Sequence, residues 1–271
     1  MTLPPPEMLA APSAACAADG PASRSEKRQQ VRILPILFVL IIGLEFPFFP
    51  LLQKVFPIFS RFGWSRPTIA GVETILAQAT IAVVILLVVH SWERLPMRSV
   101  GIVQFAASDL VLGLAAFGML LFLEGILPSL LMTATAFRGW GFSGMDTRQL
   151  TLIDQIRWPV MLAVAISAGI YEELWARGYG VERLEALTHS TLAAAAITLT
   201  LDLGAHVPFW GFRYALLIAP GQMLLLGLYL WRRRLMPCVI AHILWDFGRP
   251  ILLALMWLLA TLHPMHAMWR W

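Results

Sequence analysis

The chain has 271 residues, of which 59% are hydrophobic and only 13% charged, with a formal net charge of +4. So little charge excludes an ordinary soluble domain and a charge-rich disordered chain, and two cysteines exclude a disulfide framework. The basic balance calls for no nucleic acid, because basic loops facing anionic lipid account for it.

Residues 1–30 are rich in Pro, Ala and Ser and lack hydrophobic periodicity, which predicts a disordered cytoplasmic tail rather than a signal peptide. Residues 31–271 read as a transmembrane helical domain. Apolar runs long enough to cross a hydrocarbon layer of about 30 Å as helices lie at 68–90, 109–133, 158–179 and 214–231, with further ones at 33–50 and 191–207. Between 235 and 262 the run is interrupted by DFGRP, giving one kinked span or two short helices. The expected fold class is therefore all-α, a polytopic transmembrane bundle of seven or eight spans. Arg24, Lys27, Arg28 and Arg32 precede the first span, and Arg232, Arg233 and Arg234 follow the sixth. Six crossings bring both clusters to one side, so the basic-loop rule places them, and the N-terminus, in the cytoplasm.

The fourth span carries AGIYEELWARGYGVERL, residues 168–184. A charge inside a span costs a few kcal/mol, so such groups face the interior and have partners. Glu173 and Arg177 stand at i and i+4, the favourable order for a helical ion pair. Glu172 points about 100° away and needs another partner. The fifth span supplies Asp202 and His206, and the last apolar region places His242 and Asp246 one turn apart.

If spans four and five form a hairpin turning at His189, Glu172 and His206 each lie 17 positions from the turn. They then share one depth and face each other. Arg177 and Asp202 lie 12 and 13 positions from it and are also level, giving the arginine two acids. These groups define an expected site between the fourth, fifth and seventh helices, in a polar cavity opening towards the cytoplasm. A carboxylate and two imidazoles of this kind can polarise a water or hold a metal. Glu45 and Glu124 read as groups that bond a neighbouring helix or sit near an interface. HExxH, GxSxG and P-loop motifs are absent from the sequence.

In this order the residues resemble the CPBP family of intramembrane proteases. That group includes CAAX-processing endopeptidases, which trim prenylated proteins, and bacterial members linked to bacteriocin processing and self-immunity. EELWAR at 172–177 matches its first motif, two glutamates, three free positions and arginine. His206 matches the second, although Asp202 stands where that motif has Phe, and HILWD at 242–246 matches the third. The likeness covers roughly residues 98–250, with its core at 158–250.

The resemblance implies that Glu172 activates the attacking water, that His206 helps to hold it, and that His242 and Asp246 complete the site and stabilise the oxyanion. Glu173, Arg177 and Asp202 would support them. It leaves zinc as a candidate cofactor, with Glu172, His206 and His242 as its candidate ligands and a metalloprotease as the corresponding class. The implied activity is an intramembrane endopeptidase acting on a membrane-associated or lipidated peptide. The alternative is a catalytically silent scaffold or immunity protein that keeps the pocket for binding. Expected partners are membrane lipids and the peptide, and the expected location is a bacterial cytoplasmic membrane.

Overall fold

The structure, a computed structural model, describes residues 33–44, 61, 63–127 and 156–248. The expected tail, Glu45, and the choice between seven and eight spans, which turns on residues after 248, lie outside the described residues. Among the described residues there is no strand, and seven helices follow one another. They are α1 (Ile33–Ile42), α2 (Arg66–Trp92), α3 (Ala107–Ile126), α4 (Trp158–Thr188), α5 (Thr191–Trp210), α6 (Phe212–Arg232) and α7 (Met236–Gly248). Helices α2 to α6 are long and apolar enough to cross a membrane, and the chain is an integral membrane protein.

Local chemistry sets the helix ends. Ser65 caps α2, its hydroxyl accepting from the Thr68 N–H, and a proline sits in the first turn, where a missing N–H costs nothing. Helix α4 also begins with a proline in its first turn and stops at His189, which adopts the left-handed conformation at φ 56°. Ser190 then caps α5 by accepting from the Ala193 N–H at 3.2 Å. The hairpin turn therefore falls where the sequence reading puts it.

Helix α4 is the hub of the core. Tyr171, Leu174, Trp175 and Tyr179 are buried with Leu225 and Tyr229 of α6 and with Cys238, Ala241 and Trp245 of α7. Helix α7 reaches them by wedging between glycines. A Cβ at Gly113 of α3 would lie 2.7 Å from the Ile240 side chain, and one at Gly169 of α4 would lie 2.6 Å from that of Ile243. Small residues at helix contacts are what allow such approach in a membrane. Helix α1 docks through polar bonds instead: Tyr171 donates its hydroxyl to the Gly43 carbonyl, and the Trp175 indole donates to the Val39 carbonyl.

One end of the bundle is closed by paired charges. Arg234 grips buried Asp109 with two bonds, at 2.7 and 2.6 Å. Arg183 binds Glu93 at 2.8 Å, and Arg233 binds Glu182 and Glu185 at 2.8 and 2.6 Å. Burial opposes the charge on Arg233, but hydrogen bonds and charge from Glu182 and Glu185 prevail and hold its pKa above the ordinary arginine value. Arginines that the sequence reading treats as a basic surface cluster are thus partly neutralised and tie loops together. The Leu235 N–H adds a bond to the Gly101 carbonyl at 3.0 Å.

Candidate active site

Helix α4 changes its winding at the charged motif. From Glu173 to Val181 it is a π-helix, with i→i+5 hydrogen bonds, and all nine of these side chains are buried. Segments of this kind cluster at functional sites because the wider turn re-aims side chains. The sequence reading assumes a uniform α-helix here. Gly178 and Gly180 accompany the change: a Cβ at Gly178 would meet the Val100 carbonyl at 2.7 Å, and one at Gly180 the Thr198 side chain at 2.8 Å.

Arg177 is 1% exposed and Glu173 fully buried. The guanidinium faces Glu173 at 3.3 Å and Asp202 at 3.1 Å through the same nitrogen. Its other terminal nitrogen donates to the Gln222 backbone carbonyl at 3.3 Å and to the Gln222 side-chain oxygen. The two acids expected around Arg177 are both there. Gln222 is an addition that sequence reasoning missed, and the signal was an amide in the middle of an apolar span.

Glu173 is shared. Its Oε1 also accepts from His242 Nδ1 at 2.8 Å. His206 Nδ1–H donates to the Asp202 backbone carbonyl at 2.8 Å; a carbonyl only accepts, so this bond assigns the proton to Nδ1. With both Nδ1 atoms engaged, the two Nε2 atoms converge on Glu172. His206 Nε2 lies 3.9 Å and His242 Nε2 3.8 Å from Glu172 Oε2. Asp246, one turn beyond His242, places its Oδ2 3.4 Å from His242 Nε2. All seven side chains singled out in the sequence therefore meet in one cluster, with α4, α5 and α7 supplying them.

The 3.8 and 3.9 Å gaps are too long for direct hydrogen bonds. A water seated over them can bond the carboxylate and both rings, and Glu172 Oε2 is buried with no hydrogen-bond partner. A tetrahedral zinc with bonds of 2.0–2.1 Å would instead draw its ligand atoms to roughly 3.3–3.4 Å of each other. Among the described residues no group of three or more His, Cys, Asp or Glu is placed to hold a metal. The structure therefore lends no support to the zinc set Glu172, His206 and His242 or to the metalloprotease class.

The expected opening of the site towards the Arg233 end is narrow. Glu173 to Leu184, the path along α4 from the site to the Arg233 end, are all buried. Along that path only a small recess remains, about 140 Å³, lined by Ala176, Arg177, Thr198, Leu199, Asp202 and Leu226. The accessible surface lies at Asp246, whose side chain is 35% exposed, and at Glu172 and His206, each 17%.

Residues 154–248 match the family described as Type II CAAX prenyl endopeptidase Rce1-like. No curated protein and no solved structure matches the chain. The segment from 154 to 248, which carries this whole site, is thereby recognised as a domain of the CAAX-protease family that the three motifs resemble.

Proposed function

We propose that the protein is an intramembrane endopeptidase that hydrolyses a peptide bond of a membrane-associated or lipidated peptide with water activated at Glu172. The observation that carries this reading is the convergence of His206 Nε2 and His242 Nε2 on Glu172 Oε2, with both rings locked through Nδ1. Glu172 takes a proton from the water as its oxygen attacks the scissile carbonyl. His206, fixed through Nδ1, turns its Nε2 to the water and helps to hold and aim the oxygen. His242 has a carboxylate beside each ring nitrogen and acts as the N–H donor to the developing oxyanion. Asp246 holds that ring from the exposed side. Glu172 then returns the proton to the leaving amine.

The depth of the site suits a substrate presented by the bilayer. His242 lies six residues into α7 from Met236, about 9 Å at the helical rise of 1.5 Å per residue. The basic residues before α1 and after α6 support a cytoplasmic N-terminus. The family match favours this reading over a silent scaffold.

The test compares new peptide termini, by mass spectrometry, in host membranes carrying wild-type protein or Glu172→Gln at matched abundance. Glu172→Gln keeps the shape and removes the base. Loss of at least 100-fold in product, on the order expected for a general base, supports the reading; equal products from both proteins refute it.

A further inference from the structure

We infer that Gln222, on α6, is a positioning residue for His242: it restrains Arg177 so that Glu173 remains available to the imidazole. Only the kinetic consequence of this inference rests on the peptidase reading above.

Arginine's planar fork prefers two parallel bonds to one carboxylate. Glu173, one turn away on the same helix, is the nearest candidate for that grip. A two-bond pair would engage both Glu173 oxygens, including the Oε1 that accepts from His242 Nδ1 at 2.8 Å. The observed pair is far from this optimum. It is a single approach of 3.3 Å, and Glu173 Oε2 is buried without a hydrogen-bond partner. A buried orphan oxygen next to an arginine needs a cause.

Gln222 supplies it. The amide is 7% exposed and takes the second terminal nitrogen of Arg177 with both its side-chain and its backbone oxygen. That leaves one terminal nitrogen, Nη1, facing two acids, Glu173 and Asp202, so neither receives an end-on grip from both terminal nitrogens. Beside it α3 and α6 approach closely, since Glu124 fills the space that a side chain on Gly221 would need. A helix that gives no side chain to the reacting group thus governs the orientation of one that does. Asp202 steadies the other ring through its backbone carbonyl, so both histidines are referred to the same guanidinium.

The test uses the full chain in lipid nanodiscs with ¹⁵N-labelled histidine, the His242 signals being assigned by their loss in His242→Gln. Gln222→Met keeps the length and removes the side-chain acceptor; Gln222→Glu keeps it. The inference expects the hydrogen-bonded Nδ1–H signal of His242 in wild type and Gln222→Glu, and its displacement in Gln222→Met at a melting temperature near wild type. It also expects kcat in Gln222→Met to fall on the order of 10- to 100-fold, as small misplacements do, with KM unchanged. An unmoved His242 signal in Gln222→Met, or the same displacement in both variants, overturns it. Should Gln222→Met not accumulate, Gln222→Asn shortens the acceptor and is read the same way. If wild type and Glu172→Gln release the same peptides, the peptidase reading falls while the imidazole signals still decide the role of Gln222.

Discussion

Arg177 is enclosed by Glu173, Asp202 and Gln222 with only 1% of its surface exposed. Its removal would leave two carboxylates buried without a cation, a loss of about 3–5 kcal/mol for a broken buried pair. Arg177→Met is therefore expected to lower the melting temperature sharply. Reversing the pair as Arg177→Asp with Asp202→Arg should recover stability relative to either single reversal, because an arginine at 202 keeps an acid in reach. Equal melting temperatures for the three variants would mean that the charges do not couple. Asp202 shows how one residue serves two bonds: its carboxylate meets Arg177 and its carbonyl meets His206. The carbonyl contact is independent of side-chain identity, so no motif at position 202 could announce it.

At the scale of the element, the decisive feature is the approach of α7 to α4. Gly169 lies three residues before Glu172, and Ile243 follows His242 directly, so their contact sets how closely the histidine nears the two glutamates. A Cβ at Gly169 would meet the Ile243 side chain at 2.6 Å and its backbone nitrogen at 3.1 Å. Gly169→Ala should push α7 outward and cost about 1–3 kcal/mol, as overpacking does, with activity falling further than stability. Gly227 on α6 is the matched control, because nothing lies within 4 Å of its added Cβ. Gly227→Ala should be neutral or raise stability by about 0.5–1 kcal/mol through helix propensity. Thermal melts of the two variants beside wild type check both.

For the whole molecule, alternation of the helices places the His189 turn and the Arg233 loop at one end, with Gly211 at the other. The contacts agree: Arg233 meets Glu182 and Glu185, near the His189 end of α4. Single cysteines at 189 and 211, in a Cys16→Ala and Cys238→Ala background, should label from opposite faces of oriented vesicles. Position 189 should react on the cytoplasmic face. Labelling of both from one face would overturn the topology, and a reversed pattern would overturn only the orientation. The charged end also explains why several arginines do not simply mark the cytoplasm. Arg233 and Arg234 hold acids on neighbouring segments, so part of the basic cluster is structural.

The sequence by itself determined the class of fold, the positions of the five long apolar helices α2 to α6, and the facing of Glu172 with His206 and of Arg177 with Asp202. It could do so because charge inside a span must be partnered and because residues equidistant from a hairpin turn share a depth. What only the tertiary structure decided depends on winding and on contacts between distant segments. The π-helical turn, the wedge of α7 between Gly113 and Gly169, the docking of α1 on Tyr171 and Trp175, and the hold of Gln222 on Arg177 leave no periodic trace in the chain. The same holds for the burial of Glu173 to Leu184 beside the site. Each is a matter of a few tenths of an ångström in how helices approach. Such approaches are set by the combined packing of side chains far apart in sequence, which no local pattern encodes.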